Sequence, residues 1–331
     1  MELSINSTQE KMWKLALGFA NTAVLYALIK SEVVEELRFD SKTLDELVYA
    51  CGLNPDVLFR TLRFAEVIEV ITLQDGKYAL SDIGKLLLKD VPGSLYYGLL
   101  LAGSDPWQQA WHNLTYSLTI GENAFEAAMG TSFYDYIDRF KQYGDPYNRW
   151  MSISTKMSAK SIVEAYDFST IMSVCDIGGG QGVLLQTLLE ENPHLQGILF
   201  DQQSVVDSHV LSELSDRVRF EAGNFFERVP SGDVMILKSV LHNWEDEKAL
   251  LILNNCREVM SRSSRLLIIE MIIDSPTDQI GAFYDLNMQV LFNGKERTEE
   301  EFDVLLKKAN LQLKQVIPTK SLVKILEVIL K

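Results

Sequence analysis

The run Val174-Cys175-Asp176-Ile177-Gly178-Gly179-Gly180-Gln181-Gly182 constrains the fold more than any other feature of the chain. Its apolar start reads as a strand and its glycines as a sharp turn into a helix over 183–191. Glycines there let the backbone turn tightly and let a ligand come close without interference from a Cβ. The sequence around the run has the matching rhythm of short apolar stretches alternating with amphipathic helices. Strands are expected over 172–177, 196–200, 218–222, 234–237 and 266–270, and further helices over 204–214 and 246–260. Such alternation is the mark of a parallel sheet with helical crossovers, an α/β, Rossmann-like domain.

The loop implies a nucleotide-like cofactor, and its spacing separates two kinds. A dinucleotide site needs G-x-G-x-x-G, with a pyrophosphate resting on the helix N-terminus. Here the glycines at 178, 180 and 182 give G-x-G-x-G, and Val183 stands where the third dinucleotide glycine belongs. Asp176 also places a negative charge where a pyrophosphate would have to approach. A cofactor with an amino group and no phosphate fits better. The second strand ends at Phe200-Asp201, and a carboxylate at that place can accept both hydroxyls of an adenosine ribose.

The N-terminal third has a different character. A helix is expected over 8–30, apolar on several faces through Trp13, Leu15, Leu17, Phe19, Val24, Leu25, Leu28 and Ile29. Such a helix needs more than one neighbour, which a second subunit or the same chain can supply. Helices follow over 43–50 and from Asn54-Pro55, where Asn can cap and Pro suits the first helical position. Two β-like segments, 70–73 and 77–80, are joined through Gln74-Asp75-Gly76, a hairpin signal. Helix, helix and hairpin in that order suggest a winged helix-turn-helix. Residues 1–90 hold ten Lys/Arg against fourteen Asp/Glu, whereas a DNA reader needs a basic face. A structural or dimerisation role is expected instead.

Three regions are therefore expected, a winged-helix-like dimerisation domain over 1–95, a helical linker and substrate-pocket region over 96–165, and a Rossmann-like catalytic domain over 166–331. The middle region is rich in aromatic residues, Trp107, Trp111 and Trp150 among them, and suits a flat substrate. The formal net charge of −15 discourages contact with nucleic acid or anionic membranes. Cys51, Cys175 and Cys256 lie far apart and give neither a zinc spacing nor a disulfide framework. Residues 1–10 are polar, with no secretory signal, and no window reaches the length of a membrane span. A cytoplasmic protein is expected.

Several ordered motifs together resemble the plant and bacterial small-molecule O-methyltransferases of the caffeic acid and hydroxyindole type. They are Asp176-Ile177-Gly178-Gly179-Gly180-Gln181-Gly182, Leu241-His242-Asn243-Trp244 with Asp246-Glu247, Ile269-Glu270, and Gly294-Lys295-Glu296-Arg297-Thr298. With the winged module the resemblance spans nearly the whole chain. It implies a homodimer built through the N-terminal domain, S-adenosylmethionine as cofactor with S-adenosylhomocysteine as product, and a small-molecule substrate held between the domains. Residue by residue it implies that Gly178, Gly179 and Gly180 line the methionine part of the cofactor. Asp201 with Gln202 would hold the ribose, Asn224 and Phe225 would flank the adenine, and Lys238 would contact the cofactor. His242 matches the catalytic base, bracketed by Glu270 and Glu296. Asn224 and Asn243 stand where aspartate is common in relatives, and Met129 where histidine is expected.

His242 follows an expected strand and precedes a helix, at the edge of an α/β sheet that faces the ligand crevice. A neutral imidazole with an ordinary pKa of about 6.5 can strip an acceptor hydroxyl near neutral pH. A carboxylate on the other ring nitrogen would fix the tautomer, and Glu270 is the expected partner, with Glu296 closing the pocket. No spacing suggests a metal. Substrate contacts are expected from Trp107, Trp111, Met129, Trp150, Met151, Asn287 and Met288. The alternatives are a family member performing decarboxylation, hydroxylation or a pericyclic step, or methylating nitrogen or carbon.

Overall fold

The computed structural model describes residues 7–274 and 279–331. Residues 1–6, and with them most of the polar opening in which no secretory signal is read, lie outside the described residues. The chain divides into two compact units, one of residues 7–108 with Phe140–Trp150, the other of Gln109–Arg139 with Met151–Lys331.

In the first unit, the single helix expected over 8–30 is two, Ser7–Ala16 and Gly18–Lys30, bent by 43°. Gly18 sits at the break, and glycine has the weakest helix propensity short of proline. Helix Leu44–Cys51 starts on a capping box, in which the Thr43 side chain accepts the Glu46 N–H and the Glu46 carboxylate accepts the Thr43 N–H. Asn54 caps helix Pro55–Val67 by a single bond, its Oδ1 accepting the Val57 N–H, with Pro55 inside the first turn. Strands β1 (Ile71–Gln74) and β2 (Lys77–Leu80) pair antiparallel. Asp75 and Gly76 between them have φ of 49° and 74°, the doubly left-handed turn that matches hairpin twist. Leu28, Ile29, Val33, Leu47, Leu58, Leu62 and Tyr78 form the core of this unit. Helix Ser7–Ala16 buries nothing, and Trp13 and Leu15 on it are 59% and 76% exposed.

The second unit is built on a seven-stranded sheet. In chain order its strands are β3 (Ser173–Ile177), β4 (Gln196–Asp201), β5 (Val218–Ala222), β6 (Val234–Lys238), β7 (Arg265–Glu270), β8 (Leu311–Pro318) and β9 (Lys324–Leu330), with spatial order β5-β4-β3-β6-β7-β9-β8. Strands β3 to β7 run parallel, as expected. The added pair β9 and β8 is antiparallel, and no strand was expected there. Alternate residues of β3, β6 and β7 enter two cores on opposite faces. Cys175, Met235, Leu237, Leu266 and Ile268 meet helices Asp246–Val259 and Glu299–Lys308 on one face. Val174, Val234, Ile236, Leu267 and Ile269 meet helix Val183–Glu191 and the end of helix Lys141–Ala165 on the other. Burial on both faces is why these strands read as unbroken apolar runs.

The helix expected over 204–214 does not form. Only one turn of α-helix, Gln203–Val206, and a 3-10 segment, Ser212–Arg217, stand in its place. One local side-chain bond and two bonds to the distant Gln181 compete with the helix there. His209 Nδ1 accepts the Leu211 N–H, Val210 N–H donates to the Gln181 carbonyl, and Gln181 Nε2 donates to the Ser208 carbonyl. Among the described residues no single helix is long and apolar enough to cross a membrane.

Candidate active site

The sheet order turns at β3, with β4 on one side and β6 on the other, so connections leave in opposite directions and open a crevice at the carboxyl ends of the strands. Asp176, Asp201, Lys238 and Glu270 all sit at those ends. Gly178, Gly180 and Gly182 have φ of 68°, 59° and 85°, a region that L side chains rarely adopt. A Cβ on Gly179 would stand 2.7 Å from Asp176 Cγ, while Gly180 has nothing within 4 Å of that position. The loop is thus tight against the sheet and open on its outer side.

Asp176 is 1% exposed, and its Oδ2 has no partner among the described residues. Burial pushes its pKa up to about 7, with Lys238 opposing and Asp201 adding to the rise. A buried acceptor left unsatisfied is costly, and a cofactor bringing a hydrogen-bond donor would remove that cost. Asp201 Oδ2 accepts the Gly180 N–H at 2.9 Å and Oδ1 the Gln202 N–H at 2.7 Å. Each oxygen keeps a further lone pair for a ligand hydroxyl. Burial lifts the Asp201 pKa to about 6, held back by those two N–H groups. Asn224 is exposed and folds on itself, its Oδ1 accepting the Phe226 N–H. Phe225 lies against the Gly178 position and edge-on to Trp244. These residues fit a nucleoside with an amino group and no phosphate.

Lys238, half-buried, adds a positive charge to the crevice. Its Nζ donates to Thr155 Oγ1 and Ser239 Oγ, both at 3.3 Å. Burial lowers its pKa, opposed by Glu270 and Asp176. Ser239, with φ of 54°, then turns the chain out of β6 into the short 3-10 segment Leu241–Asn243 that carries His242.

Here the expected pairing is corrected. Glu296 Oε1, not Glu270, holds His242 Nδ1 at 2.7 Å; Glu270 Oε2 is 3.5 Å away. Glu270 Oε1 instead accepts the backbone N–H groups of Val240, Leu241 and His242 at 3.0, 2.9 and 3.4 Å. A strand-end carboxylate below a tight turn meets orphan N–H groups first, which is the physical reason for the exchange. The expectation of an ordinary imidazole is corrected as well. Burial lowers the His242 pKa, but Glu270 and then Glu296 outweigh it and push it up to about 9. Burial raises that of Glu270, opposed by His242. His242, Glu270 and Glu296 each offer a donor atom within 4.8 Å of the others; Nδ1 and Glu270 Oε1 are already committed to hydrogen bonds. Among the described residues none hydrogen-bonds His242 Nε2.

The other expected contacts are dispersed. Trp107 and Trp150 belong to the first unit, and Trp111, Met129, Met151, Asn287 and Met288 to the second. Trp111 Nε1 donates to Asn287 Oδ1 at 3.3 Å, and its ring stacks with Phe283 at 5.7 Å between centroids. Asn287 and Met288 are buried, Met129 and Met151 half-buried. Sequence reasoning missed Ser152, whose hydroxyl donates to Gln181 Oε1 at 2.7 Å, and Thr155 on Lys238. Small hydroxyls on a helix carry no sequence signal of such contacts. It also missed Tyr134, stacked on Trp244 at 5.8 Å.

Comparison with known proteins gives consistent matches. The profile of the O-methyltransferase domain family matches residues 111–312. Phenazine O-methyltransferase PhzM of Lysobacter antibioticus is 33% identical over 321 residues, covering 95% of this chain and 94% of that protein. Among solved structures, the mitomycin 7-O-methyltransferase MmcR superposes with a TM-score of 0.95 at 30% identity over 98% of each chain. CalO1, a methyltransferase of calicheamicin biosynthesis solved in its S-adenosylhomocysteine-bound form, gives 0.85 at 31% identity over 99% of this chain and 100% of that one.

Proposed function

The chain belongs to the O-methyltransferase family, and from that premise we propose that it methylates a hydroxyl of a small aromatic metabolite with His242 as general base. It is an S-adenosylmethionine-dependent O-methyltransferase of the kind that serves secondary metabolism. The observation that carries the proposed role of His242 is the imidazole itself. Its Nδ1 is taken by Glu296 at 2.7 Å, which leaves Nε2 as the proton acceptor.

Bound S-adenosylmethionine supplies a methyl group on a positively charged sulfur, reactive enough for attack by an oxygen nucleophile. The residues present suit it. Asp201 with Gln202 would take the ribose hydroxyls, Asn224 and Phe225 the adenine. Gly178, Gly179 and Gly180 would line the methionine part, with Asp176 and Lys238 below. The acceptor hydroxyl is a weak nucleophile while protonated, and His242 Nε2 takes that proton. The carboxylate of Glu296 then stabilises the imidazolium through Nδ1–H, and Glu270 holds the turn that aims the ring. A base raised to about 9 is well matched to a phenol, whose pKa is near 10, although fewer molecules carry it neutral at pH 7. General base assistance is worth roughly 100- to 10,000-fold, and alignment of oxygen, carbon and sulfur supplies the rest.

Trp111, Met129, Met151, Asn287 and Met288 are the proposed acceptor contacts within the second unit, supported by the stacked Trp111 and Phe283 rings. PhzM and MmcR act, by their names, on phenazine and mitomycin hydroxyls, which favours a flat acceptor here. A homodimer through the first unit and a cytoplasmic setting complete the proposal. The exposed Met12, Trp13, Leu15, Leu17 and Phe19 support the dimer, since an apolar stripe of that kind asks for a cover.

Calorimetric titration with S-adenosylmethionine, combined with product mass over a phenol library, tests the reading. Wild type is expected to bind the cofactor and to add about 14 Da to at least one phenol, and His242→Ala to bind equally but turn over about 100-fold slower or worse. Full turnover by His242→Ala would remove the base from the mechanism.

A further inference from the structure

We infer that Arg297 is a positioning residue for the reaction, a buried guanidinium that fixes the turn carrying His242 relative to Glu296. The inference rests on His242 acting as the base. Arg297 is 1% exposed, a burial that arginine tolerates only when its donors are matched. NH1 donates to the Leu241 carbonyl at 3.0 Å and NH2 to the Trp244 carbonyl at 2.8 Å, so the two bonds straddle His242 in the chain. Nε and NH2 both donate to Asp246 Oδ1, at 3.2 and 2.8 Å, at the start of the following helix. The planar fork therefore ties both ends of the turn to one rigid group, a geometry that a lysine ammonium cannot span.

The backbone beside Arg297 closes the same joint from the other side. Ile273 N–H donates to the Arg297 carbonyl at 3.3 Å, which ties the segment to the chain leaving β7 just beyond Glu270. Lys295 N–H donates to the His242 carbonyl at 2.9 Å. A Cβ on Gly294 would fall 2.0 Å from that same carbonyl oxygen, so the two strands of chain touch backbone to backbone. Glu296, between Lys295 and Arg297, takes His242 Nδ1 as a result of this registration. Asp285 Oδ1 also accepts the Glu296 N–H at 3.0 Å. Loss of the fork frees the turn, lengthens the bond between Nδ1 and Glu296, and leaves the cofactor cradle on β3 and β4 untouched.

The test compares Arg297→Lys and Arg297→Met with wild type in kcat, KM, cofactor affinity by calorimetry and the pH dependence of kcat. A misaimed base is felt only in the transition state, so kcat is expected to fall on the order of 10- to 100-fold with KM and cofactor affinity nearly unchanged. The acid limb of kcat should move to lower pH, because an imidazole that loses its carboxylate partner holds its proton less tightly. Arg297→Lys should lose nearly as much as Arg297→Met. A lysine variant with wild-type kcat, or losses with no movement of the acid limb, would overturn the inference and leave a merely structural arginine. Should the methionine variant fail to fold, Asp246→Ala, which removes the fork's carboxylate at a half-exposed position, is expected to shift kcat and the limb in the same direction by less; no shift overturns the inference. If His242→Ala retains full turnover, the base assignment itself is what has failed.

Discussion

Two carboxylates act on one imidazole at His242, and they act differently. Glu296 touches Nδ1 and sets the tautomer, whereas Glu270 spends one oxygen on three backbone N–H groups and reaches the ring with the other only at 3.5 Å. Against burial, which lowers it, the two together lift the imidazole to about 9. Replacing Glu296 by Gln removes one of those charges, so the imidazolium gives up its proton at lower pH. The acid limb of kcat/KM is therefore expected to move down in Glu296→Gln while the plateau rate falls, since a weaker base is left. An unmoved limb in the pH–rate profile would contradict this. The stability linkage has the same sign. The folded pKa lies above the ordinary 6.5, so the attraction stabilises the fold fully below about pH 6.5 and is lost as pH climbs through about 9. The advantage of wild type in Tm over Glu296→Gln should shrink across that window.

The elements that carry the site differ in how much of them was legible in the sequence. Strands β3, β6 and β7 were readable because burial on both faces leaves short apolar runs bounded by turns, and helix Val183–Glu191 because it follows directly on the glycine loop. Strand β9, Lys324–Leu330, is as apolar as β6, but a run of that length at the end of a chain does not say which edge it joins or in which direction. The segment after β4 misled, because the bonds of Gln181 that compete with a helix there join residues whose proximity only the fold creates. In the first unit, the break at Gly18 separates two helices that composition alone makes one. The apolar face left on Ser7–Ala16 is where the proposed dimer can be tested. Trp13→Glu together with Leu15→Glu is expected to turn a dimer into a monomer in sedimentation velocity, with cofactor affinity retained. A wild-type chain that sediments as a monomer at micromolar concentration contradicts the proposal.

At the scale of the whole molecule, the chemistry sits where an α/β sheet places it. Asp176, Asp201, Lys238 and Glu270 end four neighbouring parallel strands, and His242 follows one of them within a single turn. Strand ends were legible, so the placing of these four residues along one edge of the sheet was too. The Glu296 bond and the Arg297 fork were not, because both come from a segment some fifty residues downstream of His242, and only tertiary registration brings them to it. The central claim is that His242 removes a proton from the acceptor, and one comparison isolates it. Methylation by wild type and by His242→Ala is measured across phenols of graded acidity at one pH. The deficit of the variant is expected to be about 100-fold or more for weakly acidic phenols and to vanish for those already ionised in solution, whereas a deficit constant across the series would contradict a proton-removing role.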